Sequence, residues 1–193
     1  MNKTQNFTRL TLMIALLVVL GLTPLGFIDI PPVSITTMHI PVIVGSIVLG
    51  YKYGSLLGFS FGAFSLIRGI LKPSPYVTYF NLATTTNPLG TIIMCIVPRI
   101  LLGILPGLLF ILSKKLHIPQ RLAIGITAGL STVFHTFSVL FCMMSFFGGT
   151  NIAKIFATIV GVNGVLEVFA AIIVSVAVCT PLIKMFAKKG NNA

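Results

Sequence analysis

Side-chain carboxylates are almost absent from this chain: Asp29 and Glu167 are the only two acidic residues among 193. Between its sparse charges lie apolar stretches long enough to cross a bilayer, whose core of about 30 Å needs roughly 20 apolar residues per helix. Hydrophobic residues make up 56% of the chain and charged ones 8%, with a mean hydropathy of +1.07. These values exclude a soluble domain and predict an integral membrane protein organised as one helical domain over residues 1–193. Any charge inside a span of such a protein needs a partner or a ligand.

The net charge of +11 does not indicate nucleic acid, because the basic residues sit in short connections and the C-terminal tail rather than on one polar surface. Cys95, Cys142 and Cys179 lie in apolar segments without CxxC spacing and read as packing residues, not as disulfides or metal ligands. Lys3 and Arg9 precede an uncharged run to Ile28. That run exceeds a signal-peptide h-region and lacks an A-x-A-like cleavage site, so it reads as a retained helix.

Hydropathy and helix breakers predict an all-α bundle of six transmembrane helices, spanning roughly 9–28, 36–50, 54–71, 91–113, 121–146 and 157–186. Lys3, Arg9, Lys52, Lys114, Lys115, Arg121, Lys184, Lys188 and Lys189 fall on one side of that arrangement, against Arg68, Lys72 and Lys154 on the other. The positive-inside rule then places both termini in the cytoplasm of a multi-pass cell-membrane protein. The second span is short and carries His39 and Pro41 near its outer end, as in a broken or shifted helix; a core helix of soluble type is the alternative. Gly50, Gly54, Gly58 and Gly62 recur every four residues and predict a surface for close helix packing. Two outward connections, Pro24 to Thr37 and Lys72 to Gly90, are long and proline-stiffened, the second carrying Tyr76, Tyr79, Phe80 and Asn81. Loops of that length are either lids over a binding face or spacers.

Arg99 is expected about 12 Å inside the outer end of the fourth helix, too deep for easy snorkelling. An arginine at that depth costs at least about 2.5–3.5 kcal/mol and should face the bundle interior and an anion. Its planar fork suits a carboxylate or a phosphate. Asn163 and Glu167 share one face of the sixth helix, and Ser131, His135 and Ser138 share one face of the fifth. Three helices thus bring polar groups to one level. Two readings stay open: an internal Arg99–Glu167 salt bridge with Asn163 and His135 as interhelical partners, or a pocket opening outward in which a ligand carboxylate meets Arg99. The chain has no GxxxxGK[ST] or HExxH motif, and its scattered serines and histidines define no nucleophile with its base, so it does not read as an enzyme.

The stretch Ile35-Thr36-Thr37-Met38-His39-Ile40-Pro41-Val42, then Gly45 and Leu49-Gly50-Tyr51-Lys52-Tyr53-Gly54, and later Val97-Pro98-Arg99-Ile100-Leu101 and Gly161, Asn163 and Gly164, resembles the substrate-binding S component of energy-coupling factor (ECF) transporters. It is most similar to the pantothenate-specific subfamily, over nearly the whole chain. The resemblance implies a vitamin-binding subunit without catalytic activity or cofactor, working with a transmembrane coupling protein and two ATPases. By that resemblance Arg99 meets the pantothenate carboxylate, Asn163 meets amide or hydroxyl groups, His39, His135 and Glu167 complete the site, and Tyr79, Phe80 and Asn81 belong to the loop that closes over it. The family's coupling contact on the first helix is commonly an alanine pair four apart, and the nearest equivalent here is Thr11 with Ala15. An S component for another water-soluble vitamin and a stand-alone permease are the rival expectations.

Overall fold

The structure is a computed structural model that describes residues 3–23, 25–30, 33–71, 81–148 and 164–190. Its helices are α1 (Lys3–Leu22), α2 (His39–Leu49), α3 (Tyr51–Leu71), α4 (Pro88–Lys115), α5 (Gln120–Phe147) and α6 (Gly164–Gly190). A short hairpin, β1 (Phe27–Ile30) and β2 (Val33–Thr36), stands between α1 and α2. All the helices but α2 are long and apolar enough to cross a membrane. Because successive helices reverse direction, Lys52, Lys114, Lys115, Arg121 and Lys184 gather with the start of α1 at a basic end. The hairpin and residues 81–87 lie at the opposite, hairpin end.

The first span was expected to continue to residue 28, but α1 stops at Leu22. Pro24 cannot continue the backbone ladder. A Cβ on Gly26 would strike the Leu20 carbonyl, so the chain turns back tightly against the helix end. The hairpin that follows pairs Phe27 with Thr36 and Ile30 with Val33. Its base is closed by Thr37 N–H on Gly26 O at 3.0 Å and Thr37 Oγ1 on Leu25 O at 2.6 Å. Helical periodicity alone therefore missed a strand pair in an apolar stretch.

The second span, expected to be broken or shifted with a core helix as the alternative, is an unbroken short helix at the centre of the bundle, as the alternative has it. From Pro41 to Ile47 every residue of α2 is buried, the pattern of a helix that is apolar all round. Pro41 sits in its first turn, where a missing N–H is tolerated. With α1, α3, α4, α5 and α6 packed around it, α2 needs neither the length nor the exposed face of a lipid-facing span. The outward faces of the surrounding helices carry Leu12, Phe59, Leu101, Phe141 and Ile173, all exposed, as expected where lipid is the solvent.

The glycine series behaves as expected at three of its four positions. A Cβ on Gly54 would strike the Gly103 carbonyl, one on Gly58 the Arg99 carbonyl, and one on Gly62 the Cys95 carbonyl at 2.7 Å. Each step of four along α3 matches a step of four backward along α4, so the two backbones lie in direct contact. Gly50 differs. It stands between α2 and α3 at φ 94° and ψ 162°, a backbone conformation that needs glycine, and makes the one-residue reversal between the two helices.

Proline and capping chemistry shape α4. Asn87 Oδ1 accepts the Gly90 N–H at 2.9 Å, and Pro88 takes the first helical position, a standard N-terminal signature. The far end closes in a Schellman motif, with His117 at φ 56°, His117 N–H on Lys114 O and Ile118 N–H on Ser113 O, both 3.1 Å. Within the helix, Pro106 disturbs the ladder, and the Ser46 hydroxyl of α2 enters the gap. It donates to Gly103 O at 2.6 Å and accepts from Gly107 N–H at 2.9 Å, spanning two groups that a regular helix joins directly. Ser46→Ala should therefore strand a buried carbonyl and a buried N–H. The expected loss is about 1–3 kcal/mol, read as a lower melting temperature, with Ser60→Ala, whose hydroxyl only back-bonds to Leu56 O, as the silent control.

Candidate functional site

The geometry of α4 explains how it holds its arginine. Pro98 has no N–H, so the Met94 carbonyl four residues earlier loses its helical donor. Arg99 Nη1 donates to that carbonyl at 2.6 Å. The proline that opens the ladder thus also supplies an acceptor that turns the adjacent guanidinium back along its own helix. Arg99 is 5% exposed, and its Cζ lies 5.4 Å from the ring centroid of Phe61, within reach of a cation–π attraction.

Phe61 reaches this position because Gly58 and Gly62 beside it bring α3 onto α4. Its other neighbour is His135 of α5, with ring centroids 5.9 Å apart and planes at 47°. Arg99 lies about 16 Å from the start of α4, Phe61 about 15 Å from the end of α3 and His135 about 18 Å from the end of α5, at 1.5 Å per residue. The three occupy one level. His39, the first residue of α2, joins them from the centre of the bundle and lies near His135, which in turn lies near Arg99. The short α2 begins at the depth of this cluster.

Glu167 completes the group from α6. It is close enough to Arg99 for their charges to interact. Its Oε1 accepts the Thr36 backbone N–H at 2.9 Å, so the carboxylate ties the hairpin to α6. The backbones of Thr36 and Glu167 also lie beside the His39 ring.

The polar atoms of this cluster are poorly satisfied by the protein itself. Hydroxyls in this bundle ordinarily back-bond to a carbonyl one turn earlier, as Ser65 does to Phe61 O, Thr132 to Ala128 O and Thr180 to Val176 O. Ser131 Oγ does not, and with both ring nitrogens of His39 and Nδ1 of His135 it is buried without a hydrogen-bond partner among the described residues. Each such group costs about 1–3 kcal/mol when left unmet. The two imidazoles lie close together, with Ser131 one turn below His135 on α5, and an occupant that supplies donors and acceptors would satisfy them.

Of the residues singled out in the sequence, Arg99, His39, His135 and Glu167 come together. Asn81 is buried at the hairpin end, where its Oδ1 accepts the Ala83 N–H at 2.8 Å and closes a turn before α4. Asn163, Tyr79 and Phe80 lie outside the described residues. Thr11 and Ala15 are exposed on the outer face of α1, with Thr11 Oγ1 back-bonded to Phe7 O at 3.0 Å. Sequence reasoning missed Phe61 as a site residue. Its flanking glycines carried the signal, since they dictate which face of α3 meets α4. Chemically the cluster offers one fixed cation, two imidazoles, a hydroxyl, a carboxylate and an aromatic face, a set suited to binding a small polar anion.

The family model described as the substrate-specific component of ECF transporters matches residues 5–186. The pantothenic acid transporter PanT of Lactococcus lactis subsp. cremoris (strain MG1363) is 30% identical over 195 residues, covering 95% of this chain and 96% of that protein.

Proposed function

This chain belongs to the substrate-specific components of ECF transporters, and on that premise we propose that it captures pantothenate as one membrane domain of six helices, five of them long enough to span, with both termini in the cytoplasm. The observation that carries the proposal is the level shared by Arg99, His135 and His39, with Ser131 one turn away on α5, where a held guanidinium stands beside buried neutral groups in need of partners. Pantothenate has one carboxylate, one amide and two hydroxyls. Its carboxylate pairs with Arg99, and its amide and hydroxyls meet the imidazoles, Ser131 and Asn163. Glu167 orients the arginine and anchors the hairpin, while Tyr79, Phe80 and Asn81 belong to the loop that closes the outer side. The name of the Lactococcus lactis relative supports the choice of vitamin.

Energy for release into the cell comes from partners: a transmembrane coupling protein and two ATPases. The exposed stripe at Thr11 and Ala15 is the surface we assign to the coupling protein, because small side chains let another helix approach closely. Calorimetry on the purified chain against a panel of water-soluble vitamins tests the ligand, and pantothenate is expected to bind alone among them. Ala15→Trp should bind pantothenate normally yet fail to support uptake in proteoliposomes that contain the partner subunits. Tight binding of a different vitamin rejects the ligand assignment, uptake by the wild-type chain alone rejects the partner dependence, and normal uptake by Ala15→Trp rejects the contact surface.

A further inference from the structure

A second set of unmet polar groups lies at the basic end, far from the binding cluster. Asn6 and Arg9 are half-buried and stand one turn apart on the face of α1 that continues into the core residues Leu10 and Leu17. Arg9 Cζ lies 3.6 Å over the ring centroid of Phe186 near the end of α6. Among the described residues, α1 packs on α2 and α3 while α6 packs on α2 and α5, so Arg9 and Phe186 reach across a slot between helices that do not pack along their lengths.

Arg9 Nη1 and Asn6 Oδ1 are both shielded from solvent, and neither has a hydrogen-bond partner among the described residues. A donor and an acceptor are therefore stranded together. Neither side-chain carboxylate of the chain can serve the guanidinium. Asp29 belongs to the hairpin at the other end, and Glu167 is about 28 Å up α6 from Phe186 at 1.5 Å per residue. Lys52, Lys114, Lys115, Arg121 and Lys184 at the same end make the local field favourable to an anion. Exposed apolar side chains stand on the same turns: Phe7 of α1 is 68% exposed and Met185 of α6 is 61% exposed.

We infer that this slot binds the headgroup of an anionic phospholipid carrying a free hydroxyl, of the phosphatidylglycerol kind. A phosphate oxygen accepts from Arg9 Nη1, the headgroup hydroxyl donates to Asn6 Oδ1, and the acyl chains run along Phe7 and Met185. Only a ligand with an anionic acceptor, a donor and apolar tails meets all three features of the slot. Basic pockets between helices at one membrane face are suited to such headgroups.

The test is lipid retention by native mass spectrometry, together with thermal melting in detergent supplemented with phosphatidylglycerol, phosphatidylcholine or inorganic phosphate. Wild type should retain phosphatidylglycerol over phosphatidylcholine by roughly tenfold, the ratio one charge-assisted hydrogen bond supplies. Arg9→Gln should lose that preference, and Lys115→Ala, which removes a charge at the same end, should keep it. Arg9→Lys, a milder change for folding, should weaken it, and each variant is measured as monodisperse protein. Unchanged retention by both Arg9 variants overturns the proposal. Equal loss in Lys115→Ala makes the effect one of net charge and overturns it too. Stabilisation by inorganic phosphate equal to that by the lipid makes this a free-phosphate site instead. Intact lipid preference with impaired assembly onto the coupling protein in Arg9→Gln makes it a protein contact.

Discussion

Arg99→Ala is expected to abolish tight pantothenate binding. The guanidinium is buried, directed by the Met94 carbonyl and backed by Phe61, so a carboxylate that reaches it forms a charge-assisted pair in a site with little water. Losing such a hydrogen bond costs about 1.5–3 kcal/mol, roughly tenfold to over a hundredfold in affinity. The same substitution strands the Met94 carbonyl and lowers stability, so binding must be measured on monodisperse protein. Comparison with pantothenol, the alcohol analogue without the carboxylate, separates the two effects. Wild type should prefer the acid, and Arg99→Ala should bind acid and alcohol with similar, weak affinity. Arg99→Lys keeps the charge but loses the planar fork and should fall between them. If Arg99→Ala binds pantothenate as tightly as wild type, the residue serves only to close the break at Pro98, and the carboxylate pairing is wrong.

The second large effect is expected at Gly58. A Cβ there would collide with the Arg99 carbonyl, and because the obstacle is backbone, no rotamer change relieves it. Helices α3 and α4 must separate, which draws Phe61 away from the guanidinium and opens the centre of the bundle. Overpacking costs about 1–3 kcal/mol where neighbours can adjust. Gly58→Ala should reach the upper part of that range, and Gly58→Val should exceed it and yield little folded protein. Gly125→Ala is the matched control. Its added methyl would meet only the Ile172 and Val176 side chains at 3.6 Å, an ordinary contact, so its melting temperature should stay near that of wild type. Equal tolerance at the two positions would show that the α3–α4 approach is looser than the backbone contacts indicate.

Much of this polar cluster was legible because a membrane chain has few ways to place a charge. With apolar residues on all sides, Arg99, Glu167 and His135 stood out by type and depth alone, and helical periodicity turned them inward. The glycine spacing likewise announced a close helix contact, since a bare backbone in a span has little other use. Periodicity could not say what those groups touch. It left Arg99 to choose between Glu167 and a ligand, whereas the fold gives Arg99 the Met94 carbonyl released by Pro98 and gives Glu167 the Thr36 N–H of the hairpin.

What the sequence by itself determined is the solvent, the helical class and the short list of residues that must face inward, because each follows from the energy of placing a single group in hydrocarbon; it counted six spans where the structure has five long helices around the short α2. Tertiary structure alone decided that α2 is the buried axis of the bundle, that Phe27–Ile30 and Val33–Thr36 in the first outward connection pair as a hairpin, that Gly50 turns a corner while Gly58 seats a neighbouring backbone, and that Phe61 stands between Arg99 and His135. The physical reason is that these outcomes depend on pairs of groups distant in the chain. Hydropathy measures one residue against lipid, but burial on all sides, a carbonyl filling another helix's glycine notch and a carboxylate reaching a strand end exist only once the helices have packed.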